Sequence, residues 1–167
     1  MYAGSLPSLG PDPLRPLAEV RETVIAETPG SSTGVPSRDH LPTYGDVNLD
    51  ERFLPDPYEV SLTAGGGTDV DVGSCNYGYV AERPDVDFYY TTSGDVDLYL
   101  YVICAEDTTL LVDQPEGRWV CDDDDLCNSN PVVVIPSAAD GLYNIWVGTY
   151  SAANTDATLY ISEIDRR

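Results

Sequence analysis

The stretch VDFYYTTSGDVDLYLYV, residues 86–102, contains two short runs, Val86 to Tyr90 and Val96 to Val102, separated by the turn-forming residues Ser93-Gly94-Asp95. Within each run, side chains alternate between an apolar and a polar or amphipathic face. A period of two puts successive side chains on opposite sides of an extended chain, so each run reads as a half-buried β-strand. The same pattern begins upstream at Tyr58-Glu59-Val60-Ser61-Leu62 and continues in Thr108 to Val112, Arg118 to Cys121, Val132 to Ile135, Leu142 to Tyr150 and Ala157 to Ile164. Turn residues separate these later runs: Pro115-Glu116-Gly117, Ala138-Ala139-Asp140-Gly141 and Ala152-Ala153-Asn154-Thr155-Asp156. Eight or more strands without intervening helical periodicity predict an all-β chain folded as a β-sandwich.

The first 41 residues differ. Pro7, Pro11, Pro13, Pro16, Pro29 and Pro36 punctuate them, and Gly30-Ser31-Ser32-Thr33-Gly34 is a flexible composition. Residues 1–41 are expected to form an extended arm or linker, and residues 42–167 the sandwich domain. Within the arm only Leu17 to Ala26 has regular potential. Leu17, Val20, Val24 and Ile25 fall at helical spacing, while Thr23 to Ala26 equally suits a strand added to a sheet edge.

Charge narrows the function classes. Eight Lys+Arg oppose 29 Asp+Glu, a net charge of −21, and every one of the eight cations is Arg. Such a surface repels nucleic acid and repels itself unless cations neutralise it. It suits a calcium-bearing or saline setting, or simply a soluble acidic protein. No apolar run approaches the roughly 20 residues that span a bilayer. Met1 is followed by Tyr2-Ala3-Gly4-Ser5 rather than by a basic and then apolar leader, so an exported chain is expected to have lost its signal or to carry it outside this sequence.

Four cysteines, Cys75, Cys104, Cys121 and Cys127, suit two disulfides, and the lone His40 is far from all of them, which disfavours zinc. An oxidising compartment follows: secreted, extracellular, cell-surface or periplasmic. Tyr supplies 12 of the 16 aromatics. The rings are expected to cover sheet faces, with sugar stacking, and hence a glycan partner, as the alternative. Trp119 and Trp146, flanked by β-branched or apolar residues, are expected in the core.

The densest chemical motif is Cys121-Asp122-Asp123-Asp124-Asp125-Leu126-Cys127-Asn128-Ser129-Asn130. Adjacent carboxylates with amide oxygens are the ligands calcium takes, so Asp107, Asp122, Asp123, Asp124 and Asn130 form the candidate metal set, against the alternative of a solvated acidic turn. It is not an EF-hand, because the alternating acids, central Gly and terminal Glu are missing. Three Asp-Val-Asp triplets, at 69–71, 85–87 and 95–97, place two carboxylates on one strand face and read as chelators or as the wet face of a strand. No catalytic residues are expected. There is no Gly-x-Ser-x-Gly elbow, His40 is in the arm, and Gly65-Gly66-Gly67 does not open a helix that could cradle phosphate.

Several segments together resemble the bacterial pre-peptidase C-terminal domain group, in particular its small exported proteobacterial branch. They are Pro42-Thr43-Tyr44-Gly45, Phe53-Leu54-Pro55-Asp56-Pro57-Tyr58, Cys75 with Gly78-Tyr79-Val80, Trp119-Val120-Cys121-Asp122-Asp123-Asp124, Asn130-Pro131, and Ile145-Trp146-Val147-Gly148-Thr149-Tyr150. The resemblance covers about residues 42–164. It implies a jelly-roll-like sandwich, export, no catalysis by the domain itself, and calcium binding in some relatives. It also implies a Cys75–Cys121 bridge, which leaves Cys104 for Cys127, although four cysteines on their own allow three pairings. The sequence departs from the group where Asp125-Leu126-Cys127 replaces a Gly/Ser turn.

Two functions follow as expectations. One is a non-catalytic exported binding or accessory domain, calcium-stabilised, with a protein partner. The other is a self-assembling subunit of a filament, sheath or surface layer, a homo-oligomer whose arm adds a strand to a neighbour.

Overall fold

A computed structural model of the chain describes residues 32–125 and 129–165. In chain order the strands are β1 Ser32–Gly34, β2 Asp46–Asp50, β3 Tyr58–Ala64, β4 Thr68–Val70, β5 Tyr79–Val80 and β6 Val86–Thr91. They continue with β7 Leu98–Ile103, β8 Thr108–Asp113, β9 Trp119–Asp122, β10 Val132–Ile135, β11 Gly141–Thr149 and β12 Thr155–Ser162. There is no helix among the described residues. The all-β sandwich expected from the alternating runs is the fold found.

Four strands, in the order β10-β7-β12-β3, form one antiparallel sheet. The other eight are organised around β11. One side of β11 pairs with β8, which pairs in turn with β9. The other side is shared: β6 pairs with Gly141 to Ile145, and β5 takes over at Thr149. Beyond β6 lies β2 and beyond β5 lie β4 and β1, with β2 and β1 both added in parallel.

Leu98, Leu100 and Val102 of β7, Leu159 and Ile161 of β12, Leu110 and Val112 of β8, and Ile145 and Val147 of β11 meet between the sheets in the main core. Phe88, Tyr90 and Tyr143 join them, with the Phe88 ring 5.5 Å from Tyr90 and 5.7 Å from Tyr143. These two tyrosines are core residues rather than face covers. Each hydroxyl is satisfied, Tyr90 donating to Glu163 and Tyr143 to the Ala139 carbonyl, both at 2.7 Å.

A second, smaller core is on the outer side of the larger sheet. There Leu111 and Trp146, register partners on β8 and β11, are buried under Val70, Val72, Cys75 and Val80. The Cys75–Cys121 disulfide, with Cα atoms 5.9 Å apart, clamps this lobe to β9. Trp146 is 0 % exposed, as expected; Trp119, 5.4 Å from it, is only partly buried at the rim. Burial on both faces explains why all six residues of β8 are buried although its sequence hardly alternates.

The last ten residues of the expected arm, 32–41, belong to the folded body. β1 pairs with β4, Ser37 N–H donates to the Glu82 carbonyl at 2.8 Å, and Arg38 forms an ion pair with Asp113 at 2.8 Å. Leu17 to Ala26, the segment with helical or strand potential, lies outside the described residues.

Closing the 46-residue separation between Cys75 and Cys121 should contribute about 4 kcal/mol by restricting the unfolded chain. A C75S/C121S variant should therefore unfold at a lower urea midpoint, and reductant should lower the wild-type midpoint without moving that of the variant.

Candidate functional site

The expected calcium ligands are at one end of the sandwich, where β7 turns into β8 and β9 into β10, but they do different work. Asn130 is 4 % exposed and bridges two strands. Its Oδ1 accepts from the Cys104 N–H at 3.0 Å and the Thr108 hydroxyl at 3.2 Å, and its Nδ2 donates to the Cys104 carbonyl at 3.2 Å. Asp122 is a second staple. Its Oδ2 accepts from Val132 N–H at 2.8 Å and Asp125 N–H at 3.2 Å, joining the end of β9 to the start of β10.

Asp107, Asp123 and Asp124 are left as a mutually repelling corner. Burial and then the charge of Asp124 push Asp107 above the ordinary carboxylate range, and burial followed by Asp124, Asp122 and Asp107 does the same to Asp123. Tyr77, on the disulfide lobe, feels the same loop. Burial and the carboxylates Asp123, Asp122, Asp125 and Asp124 raise its hydroxyl to about 12. Among the described residues no three acidic, His or Cys side chains come together to hold a metal. Of the five expected ligands, Asn130 commits its amide to two strands and Asp122 one oxygen to backbone N–H groups.

The second expected bridge would join Cys104 to Cys127, which lies outside the described residues. Cys104 carries a free thiol, whose Sγ donates to the Asp156 carbonyl at 3.3 Å and accepts from Glu106 N–H at 3.3 Å. Asn128 also lies outside the described residues.

The triplet 85–87, one candidate wet face, is instead enclosed: Asp85 is 2 % and Asp87 8 % exposed. Asp85 stands where the edge of β11 passes from β6 to β5 and no strand is present to bond Val147. Its Oδ2 accepts from Val147 N–H at 2.7 Å, while Gly65 N–H donates to the Val147 carbonyl at 2.9 Å. Burial raises the Asp85 carboxyl to about 7, only partly opposed by the Val147 hydrogen bond. Asp87 accepts from Asn144 Nδ2 at 2.7 Å. Its pKa is also raised, by burial first and by Asp46 in addition, with the Asn144 bond opposing.

A concavity of about 760 Å³ lies on the outer side of the four-stranded sheet and is lined by Tyr44, Ser61, Thr63, Ile103, Asp156 and Thr158. Ser61, Thr158 and Ile103 occupy one cross-strand row over β3, β12 and β7. One row on, Tyr101 and Tyr160 stack with rings 4.9 Å apart and 5° from parallel. Ile103 is exposed, and the Tyr44 hydroxyl accepts from Thr63 N–H at 2.8 Å, closing one position on the free edge of β3. The sequence reading picked out none of these as a site; the exposed apolar Ile103 at the end of an otherwise alternating run was the only available signal.

No family model matches the chain, and no curated protein matches it. Among solved structures it is similar to Aeromonas hydrophila PliG, a periplasmic lysozyme inhibitor of g-type lysozyme, at 12 % identity. The match covers 70 % of this chain and 96 % of that one, with a TM-score of 0.36. A likeness of that size carries no argument about function.

Two predictions separate structural from ligand roles. Asn130→Ala should cost about 2–4 kcal/mol of stability, because it strands buried polar groups of Cys104 and Thr108, whereas Asp124→Ala should leave the unfolding midpoint unchanged or slightly higher. Chemical denaturation of both variants checks this. For Asp85 the folded state holds its proton more tightly than the unfolded chain. Stability from this group is therefore gained as pH falls from about 7 toward 4 and lost as it rises through about 7. Asp85→Asn, which keeps an acceptor for Val147 N–H, should flatten that part of the stability profile by on the order of 2–4 kcal/mol.

Proposed function

We propose that this chain is an exported, disulfide-stapled binding domain without catalysis of its own, and that it engages a protein partner through the groove on the outer side of its four-stranded sheet. The observation that carries the reading is the groove itself. It is broad and open, and it is lined by hydroxyl side chains, one carboxylate and the exposed Ile103. A rigid sheet supports it, so a partner can be met with little reorganisation. Export rests on the Cys75–Cys121 bridge, since structural disulfides persist in oxidising compartments. That bridge and the two-sheet sandwich also support the pre-peptidase C-terminal-like reading.

A protein partner is favoured over a sugar because Tyr101 and Tyr160 stack on each other, so each ring has one face already covered. Calcium is not required by this reading. Self-assembly through strand addition is less favoured: the described end of the arm adds its strand to its own sheet, and Tyr44 occupies part of the β3 edge.

Placing two charged side chains in the groove, as Ile103→Arg with Thr158→Arg, tests the proposal. The immobilised wild-type domain should retain a protein from the extracytoplasmic fraction of its organism that the double variant loses at an unchanged melting temperature. The same set of retained proteins on both would sink the groove assignment.

A further inference from the structure

The outer face of the larger sheet carries two adjacent cross-strand rows of opposite character. Cys121, Leu111 and Trp146 form the apolar row, sealed by the disulfide lobe. The next row runs Trp119, Asp113, Asn144, Asp87 and Asp46 over β9, β8, β11, β6 and β2. Asp113 is the unusual member. It is 2 % exposed and lines a cavity of about 370 Å³ with Arg38, Gln114, Pro115, Leu142 and Asn144. Arg38 reaches it with one nitrogen only, NH1 to Oδ2 at 2.8 Å, and lies 5.4 Å above the centre of the Trp119 ring. Oδ1 of Asp113 is buried and has no hydrogen-bond partner among the described residues.

A buried carboxylate oxygen without a donor is a costly arrangement unless something fills it. The row holds three carboxylates, of which Asp113 alone is paired with a guanidinium, in a chain of net charge −21, so the group that suits the free oxygen is a cation rather than an anion. An inorganic ion is disfavoured because no three ligating side chains converge among the described residues. The aromatic wall favours an organic cation, and two carboxylate oxygens side by side match the two-pronged guanidinium better than an ammonium. Arg38 itself is half-exposed and comes from the segment leading out of the arm, so it can be displaced.

We propose that the Asp113 cavity is a receptor for an arginine side chain on the surface of a protein partner, with Arg38 holding the place in cis through a single hydrogen bond. The partner's guanidinium displaces Arg38, bonds both oxygens of Asp113 and lies against Trp119. This site is on the other sheet from the groove proposed above and stands or falls independently of it.

The probe is a blocked Gly-Arg-Gly peptide, titrated into the full chain at constant ionic strength. Binding is followed by tryptophan fluorescence and by amide shifts at Gln114 and Asn144, with Gly-Lys-Gly as comparison. Saturable binding that is stronger for the arginine peptide is expected, with at least about a tenfold loss in the near-isosteric Asp113→Asn and equal or tighter binding in Arg38→Ala. The melting temperature of each variant verifies its fold, and Arg38→Ala keeps the test open if Asp113→Asn is unstable. An absent response, equal affinity for the lysine peptide, no loss in Asp113→Asn, or weaker binding in Arg38→Ala would each overturn the assignment.

Discussion

β11 is covered on both faces, and most of the architecture follows from how that is done. From Tyr143 to Thr149 every residue is buried: Tyr143, Ile145 and Val147 point between the sheets, and Trp146 points the other way. A sheet closed by a partner on only one side would leave Trp146 and Leu111 in water. The segment around Val70 to Val80 folds over them, and the Cys75–Cys121 bridge fixes it there. Close approach is required for this. A Cβ on Gly148 would stand 2.8 Å from the Tyr79 carbonyl oxygen and collide with Thr109, so only glycine lets the lobe settle on the strand.

That covering creates a difficulty along the other edge of β11, since β5 and β6 share it and cannot be continuous. Val147 is left between them with a donor and an acceptor that need partners. A side chain answers one and a loop the other: Asp85 takes the N–H, and Gly65, at the start of the glycine run 65–67, gives its N–H to the carbonyl. Gly66 packs so tightly against the Val80 backbone that no side chain would fit. The glycine run thus has a packing explanation in place of the phosphate-binding role that its composition brings to mind. The acids of this strongly anionic chain likewise divide into exposed ones and a few buried ones, each assigned to a particular donor: Asp85 to Val147, Asp87 to Asn144, Asp113 to Arg38.

The strands legible in the sequence were those whose pattern is local. Val132 to Ile135 matches β10 residue for residue, and Thr108 to Val112, Leu142 to Tyr150 and Val86 to Tyr90 match β8, β11 and β6 within a residue or two. β1, β2, β4 and β5 were not legible. They have two to five residues each, and two of them are set by parallel pairing to distant strands, which leaves no periodic signature. Burial was harder still. The triplets 85–87 and 95–97 look alike, yet Asp85 is enclosed by the β5–β6 gap while Asp95 and Asp97 remain exposed. Composition cannot distinguish them, because the difference is made by a gap between strands that are not neighbours in sequence.

The acidic loop shows the same limit from the chemical side. Its oxygen-rich composition invites a metal reading, yet two of its side chains also serve the sheet that carries them. Where β7, β8, β9 and β10 end together, backbone groups emerge that no strand can satisfy. Asn130 and Asp122 are positioned to bond them. An amide that both donates and accepts, as Asn130 does toward the two backbone groups of Cys104, has the bonding profile of a missing strand residue. A side chain so used is held by the fold, and of the carboxylates beside it, Asp107 and Asp123 are raised by burial first and by the repulsion of their neighbours in addition. The corner is therefore built first as a strand terminus, and its acidity is tolerated at the surface of a structure whose stability is supplied by the two cores and the disulfide.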